Sequence, residues 1–110
     1  MAAIPQRLRA YGDRVTHVHL KDVELQALDD ARAGRIEGFH AALERRIFTE
    51  LGAGVLDLPA VLGALADRGY DGWLMVEQDS SWGSPSESAA IGRRVLAETL
   101  RRLPRAGSAA

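Results

Sequence analysis

The spacing of apolar residues predicts a helix first and a strand second. Residues 4–11 carry apolar side chains at helical spacing, and the pair Gly12-Asp13 predicts the end of that helix. The segment 14–20, RVTHVHL, is rich in β-branched and apolar residues, which favours a strand. Its odd-numbered residues share one face and its even-numbered residues the other. Both faces are apolar enough that we expect both to be largely buried, as in a parallel sheet.

The pattern in the middle of the chain is interrupted by glycines. Residues 22–33 and 38–46 fit two short helices, separated by Gly34 and Gly38. Residues 48–58, FTELGAGVLDL, contain two glycines two positions apart, which is typical of a loop. A tight turn is the favoured interpretation of these glycines, and close approach of backbone to a ligand is the alternative.

The last part of the chain returns to regular spacing. A helix is predicted over residues 58–68 with Asp57 as its cap, followed by a short apolar strand over residues 73–77, WLMVE. The run Ser84-Pro85-Ser86-Glu87 is a capping box that opens a final helix, which extends to about Leu103. Strands that are separated by helices need crossover connections, so the pattern predicts an α/β structure with parallel strands.

The composition of the chain indicates which partners and which cellular location to expect. Hydrophobic residues make up 46% of the chain and charged residues 26%, which predicts a packed structure, and residues 105–110 are predicted to be a disordered tail. Fourteen basic and fifteen acidic residues argue against nucleic acid or an anionic membrane as a partner. The absence of cysteine excludes thiolate chemistry and disulfides. No segment approaches the about 20 apolar residues of a membrane span, so the cytoplasm is the expected location.

Residues suited to metal or acid–base chemistry lie at the end of each predicted strand. His19 lies in the last part of the first strand, close to Lys21 and Asp22, and Glu77 is the last residue of the second. Because the carboxyl ends of parallel strands lie at one edge of a sheet, these side chains are expected on the same rim. One imidazole nitrogen and one carboxylate oxygen form half of a site for a divalent manganese, cobalt, zinc or iron ion.

Each candidate residue has a structural alternative. For His17 a hydrogen-bonded core position is favoured, and Glu77 could simply mark a strand emerging into water, since an unpaired buried carboxylate is costly. Lys21 could equally point outward. Asp22 is interpreted, by a small margin, as the cap of the next helix. Trp82 either lines a pocket or packs on the surface.

The quoted runs also carry a resemblance to a known family. RVTHVHLKD, followed by FTELGAGVLDLPAVLGALADRGYDGWLMVEQD, resembles the C-terminal portion of inosose dehydratase and its sugar-phosphate isomerase/epimerase relatives, over roughly residues 11–100. Members of that superfamily share a xylose isomerase-like (β/α)8 barrel. A complete barrel has about 250 residues. The resemblance therefore implies that residues 1–110 form one partial barrel domain, about the last two β/α units.

The resemblance further implies a metal, a substrate class and roles for individual residues. The family holds one divalent metal with two carboxylates, a histidine and a last glutamate, and the last two fall on His19 and Glu77. Mn2+ or Co2+ is the expected ion, with Zn2+ or Fe2+ as alternatives. Lys21 is expected to be catalytic, and His17 and Trp82 are expected to contact a sugar or cyclic polyol ketone. The implied reaction is proton abstraction next to a carbonyl, with the metal stabilising the enediolate.

An alternative follows from the ligands that the chain lacks. The family's other two carboxylate ligands come from earlier strands, which are absent from this sequence. The chain could therefore be a non-catalytic or truncated piece that folds or acts only by association, as a homo-oligomer or with a complementing barrel half.

Overall fold

The computed structural model describes residues 3–104 of the 110-residue chain, so the tail predicted at residues 105–110 lies outside the described residues. Five α-helices, four short strands and one 3-10 turn follow one another in that part of the chain. They are α1 (Ala3–Tyr11), the 3-10 turn (Gly12–Arg14), β1 (Val18–Leu20), β2 (Asp22–Val23), α2 (Leu25–Arg32), α3 (Phe39–Glu44), β3 (Phe48–Thr49), α4 (Leu58–Asp67), β4 (Leu74–Val76) and α5 (Pro85–Arg102).

The strands β1 and β4 are hydrogen-bonded neighbours that run parallel. Val18 lies opposite Leu74 and Leu20 opposite Val76. The backbone N–H of Glu77 donates to the carbonyl oxygen of Leu20 at 2.9 Å, which extends the pairing by one residue. The predicted α/β structure with parallel strands and flanking helices is confirmed.

One apolar core lies against this strand pair. Helix α4 supplies most of its fully buried side chains, and α1 and α5 pack against it with partly buried residues. Helix α5 comes unusually close to β4, because a Cβ atom at Gly92 would lie 2.8 Å from a methyl carbon of Val76. The buried core residues are Leu20, Leu51, Leu58, Val61, Leu62 and Leu65.

Residues 22–49 form a separate small lobe beside the strand ends. The antiparallel pair β2 and β3 closes its base, and Ala27, Ile36 and Ile47 form its own small core. Asp30 is buried inside the lobe, where hydrogen bonds from Arg35, Gln26 and Arg45 keep the pKa of its carboxyl below the ordinary value. The lobe is therefore held by paired charges as well as by apolar contacts.

Some predicted boundaries are wrong in this lobe. The first lobe helix does not begin at Asp22: it begins at Leu25, because the side chain of Glu24 accepts hydrogen bonds from two backbone N–H groups and caps it. The segment predicted as a loop over residues 48–58 begins with strand β3. Two-residue strands carry no readable periodicity, so they could not be found from spacing.

The first long strand is also shorter than predicted. Regular pairing covers Val18–Leu20, whereas Arg14 belongs to the 3-10 turn and residues 15–17 lie outside the paired strand. Gly12 has a φ of 54°, a conformation that favours glycine. Among residues 3–104 no helix combines the length and apolar character needed to cross a lipid bilayer.

Candidate functional site

The carboxyl ends of β1 and β4 meet at one edge of the sheet and bring two predicted site residues together. Nδ1 of His19 lies 2.7 Å from Oε1 of Glu77. His17 precedes His19 on the same face of the strand, and its Nε2 lies 3.0 Å from Nε2 of His19. These three side chains form a continuous row, which we call the His–Glu row.

Lys21 joins this row instead of turning outward. Its Nζ lies 2.5 Å from Oε2 of Glu77 and 2.9 Å from Oδ2 of Asp79. The same ammonium group lies 4.8 Å from the centre of the Phe48 ring, on strand β3. The lobe and the end of β4 thus both contact Lys21.

These contacts fix the charges of the site at neutral pH. Hydrogen bonds from Lys21 and His19 lower the pKa of Glu77 to about 2. Hydrogen bonds to Glu77 and Asp79 raise the pKa of Lys21 above its ordinary value. Glu77 is therefore an anion that can bind a cation, and Lys21 is a cation and a hydrogen-bond donor.

The face of the sheet that carries the His–Glu row is open to solvent. The His19 side chain is 52% exposed, Met75 on β4 is 45% exposed, and Trp73, directly before β4, is 77% exposed. Leu20, on the opposite face of β1, is only 3% exposed. The prediction that both faces of the first strand are buried is therefore wrong, because the described residues cover one face only.

The donor atoms of His19 and Glu77 fit two adjacent positions around a divalent ion. Nitrogen and oxygen ligands lie about 2.0–2.2 Å from such an ion, so two ligands at right angles are about 3 Å apart. The observed separation is 2.7 Å. Residues 3–104 contain no group of three or more histidine, cysteine, aspartate or glutamate side chains arranged to hold a metal. Of the described residues, His19 and Glu77 could therefore supply two ligands, and a complete metal site would need more.

Trp82 lies further out, in the connection between β4 and α5. It is 50% exposed, and the guanidinium of Arg46 lies 4.9 Å from the centre of its ring. A cleft of about 460 Å³ opens beside this connection, lined in part by Gln78, Asp79 and Ser88. The structure gives Trp82 a partner outside the His–Glu row, and its contact with substrate stays a prediction.

Asp22 has a role that the sequence did not reveal. Its side chain is 1% exposed and accepts four backbone hydrogen bonds: Oδ1 from Val23 and Leu56, each at 2.9 Å, and Oδ2 from Gly52 at 2.9 Å and Gly54 at 3.2 Å. It is therefore not a helix cap. A Cβ atom at Gly54 would collide with this carboxylate, so the glycine at this position lets the backbone surround Asp22.

A second unpredicted contact links the same loop to the last helix. Ser88, buried on α5, donates from its hydroxyl to Oε1 of Glu50 at 2.7 Å. This bond is the main reason why the pKa of Glu50 lies below its ordinary value. The loop over residues 50–56 is thus tied at one end to α5 and along its length to Asp22.

Comparison with known proteins places the chain in a family. Residues 2–99 match the family described as "Xylose isomerase-like TIM barrel". The match covers most of the chain, and the chain belongs to this family. The prediction of a partial xylose isomerase-like barrel is confirmed at the level of the family. No solved structure matches significantly.

Several curated relatives are similar over most of this chain. The inosose dehydratase of Serratia proteamaculans is 38% identical over 94 residues, which are 84% of this chain and 31% of that protein. The inosose dehydratase of Lacticaseibacillus casei is 35% identical over 92 residues, or 82% of this chain and 30% of that protein. The rhizopine catabolism protein MocC of Rhizobium meliloti is 43% identical over 89 residues, or 79% and 27%. The chain thus spans about a third of the length of the curated relatives that it matches.

Proposed function

We propose that this chain supplies part of the metal-dependent active site of an inosose dehydratase-like enzyme, which acts on a sugar or cyclic polyol ketone. The observation that carries the proposal is the contact between His19 and Glu77 at the carboxyl ends of two parallel strands. In a (β/α)8 barrel that edge is where the active site lies. The family and the inosose dehydratases among the relatives support the substrate class.

The proposed roles follow from chemistry and charge. His19 and Glu77 would hold a divalent ion, most favourably Mn2+ or Co2+ and alternatively Zn2+ or Fe2+. When bound, such an ion would polarise oxygens of the substrate as a Lewis acid. Lys21, held as a cation, would stabilise negative charge that develops on an oxygen when a proton leaves the neighbouring carbon. His17 and Trp82 would contact the substrate around this centre.

The similarity favours a dehydratase over an isomerase or epimerase. Both reactions begin with loss of a proton next to a carbonyl. In a dehydratase a neighbouring hydroxyl then leaves, whereas in an isomerase or epimerase the proton returns. Two of the relatives described above are inosose dehydratases, so we propose a lyase.

A second candidate function is association with another chain, and the open face of the sheet favours it. Trp73 and Met75 expose apolar surface there, and within residues 3–104 strands β1 and β4 pair only with each other. Unpaired strand edges beside exposed apolar side chains are typical of surfaces that another element covers. The partner would be another copy of the chain or a complementing barrel half.

Calorimetric titration with Mn2+ and Co2+ tests the leading proposal. His19→Ala and Glu77→Ala should each abolish binding, because each removes one of two ligands. His40→Ala and Glu37→Ala are matched controls, since both residues are exposed and, among residues 3–104, neither forms a hydrogen bond or ion pair with His19 or Glu77. Equal heats in the site variants, the controls and the parent chain would overturn the metal site. A sizing run of the same samples separates binding by one copy from binding between copies.

A further inference from the structure

Both oxygens of the buried Asp22 carboxylate accept hydrogen bonds from backbone N–H groups. Each of its two oxygens accepts two N–H groups, and three of the four donors lie 30 to 34 residues away, at Gly52, Gly54 and Leu56. Within residues 3–104 no lysine, arginine or histidine side chain forms an ion pair with it, and its partners are backbone groups. Such a carboxylate has one orientation only, because any rotation would break several hydrogen bonds at once.

Asp22 with its four backbone hydrogen bonds, which we call the Asp22 anchor, directly follows Lys21 in the chain. Successive side chains of an extended chain point to opposite sides, so a carboxylate fixed inward turns Lys21 towards the edge where the strands end. The anchor also lies in β2, which pairs Asp22 with Thr49 and Val23 with Phe48. That pairing carries the Phe48 ring to a position 4.8 Å from the Lys21 ammonium.

We propose that Asp22 is a positioning residue, which holds the Lys21 ammonium against Glu77 and Asp79 by fixing the loop over residues 52–56 to the start of β2, directly after Lys21. The catalytic use of that ammonium rests on the proposed function. The geometry itself does not, because it consists of contacts between groups of the protein.

Two substitutions disrupt this anchor in different ways, one by changing the carboxylate and the other by changing the loop that surrounds it. In Asp22→Asn an NH2 group replaces one carboxylate oxygen. This group faces two backbone N–H donors, and it cannot accept a hydrogen bond from either of them. Gly54→Ala leaves the carboxylate charged but forces a methyl group into it. Leu65→Ala is the control: it removes apolar contacts from helix α4 and destabilises the chain, but it removes neither a hydrogen bond to Asp22 nor an ion pair of Lys21.

The readout is the side-chain ammonium of Lys21 in nitrogen-15 NMR spectra, assigned by its loss in Lys21→Met. In the parent chain we expect its protons to exchange slowly with water, because Glu77 and Asp79 hold them. In Asp22→Asn and Gly54→Ala we expect exchange at least about tenfold faster, and in Leu65→Ala, measured equally far below its own melting temperature, the parent rate. Equal rates in all folded variants would overturn the proposal and leave Asp22 a residue of stability alone.

If neither variant folds, hydrogen exchange of the parent chain tests the proposal. The backbone amides of Gly52, Gly54 and Leu56 should then open together with release of the Lys21 ammonium, with one common dependence on low concentrations of urea. Release of Lys21 while those amides stay protected would contradict the proposal. Absence of metal binding would remove the proposed function and would leave either of these results intact.

Discussion

Replacement of Asp22 by asparagine should cost a large part of the stability of the chain. The change keeps size and shape but exchanges one acceptor oxygen for an NH2 group. Whichever way the amide turns, two partly buried backbone N–H groups lose their acceptor, either those of Val23 and Leu56 or those of Gly52 and Gly54.

The magnitude follows from the cost of unsatisfied groups. A fully buried donor without a partner costs about 1–3 kcal/mol, so two partly buried donors cost up to about 6 kcal/mol. A 110-residue domain at roughly 0.05–0.15 kcal/mol per residue has about 5–15 kcal/mol of stability in total. The substitution should therefore lower the urea midpoint strongly.

Urea unfolding followed by circular dichroism measures this loss. Asp57→Asn is the matched control, because Asp57 caps α4 through one exposed hydrogen bond and asparagine caps helices about equally well. We expect the control to change stability by under about 0.5 kcal/mol. A loss below about 1 kcal/mol for Asp22→Asn would contradict the conclusion that the buried Asp22 carboxylate accepts four backbone hydrogen bonds.

Two further predictions concern pH and packing. The folded pKa of Glu77, about 2, lies below its ordinary value of 4.5, so its contribution to stability is complete above about pH 4.5 and is lost as the pH falls towards 2. Glu77→Gln should flatten that part of an acid unfolding curve, and an unchanged curve would contradict the ion pair. Gly92→Ala should destabilise by about 1–3 kcal/mol, because its methyl group meets Val76, whereas Gly63→Ala, with open space around it, should not destabilise α4. Thermal unfolding of both variants checks this, and equal stabilities would contradict the close packing of α5 on β4.

The long regular elements were predictable because their signals are local. The spacing of apolar residues in α1 and α4, the cap at Asp57 and the capping box before α5 all match the structure to within one or two residues. The parallel pairing followed from the helices between the strands. The lobe over residues 22–49 was harder, because β2 and β3 have two residues each and the cap of α2 is Glu24 instead of Asp22.

The candidate site shows the same division. The positions of His19 and Glu77 at strand ends predicted that they would share an edge, and the structure brings them to 2.7 Å. The anchor at Asp22 joins residues 30 to 34 positions apart through backbone, and no residue type in the loop marks such a contact. Its only trace in the sequence is the pair Gly52 and Gly54, which could equally indicate a turn.

Crystallography with anomalous scattering at the manganese or cobalt absorption edge tests the central claim most directly. Crystals of the chain soaked in Mn2+ or Co2+ should show an anomalous peak about 2.0–2.2 Å from a nitrogen of His19 and an oxygen of Glu77. The peak should vanish in Glu77→Ala crystals treated in the same way. A fully soaked crystal with no peak at these two side chains, or with its only peak elsewhere, would contradict the assignment of His19 and Glu77 as metal ligands.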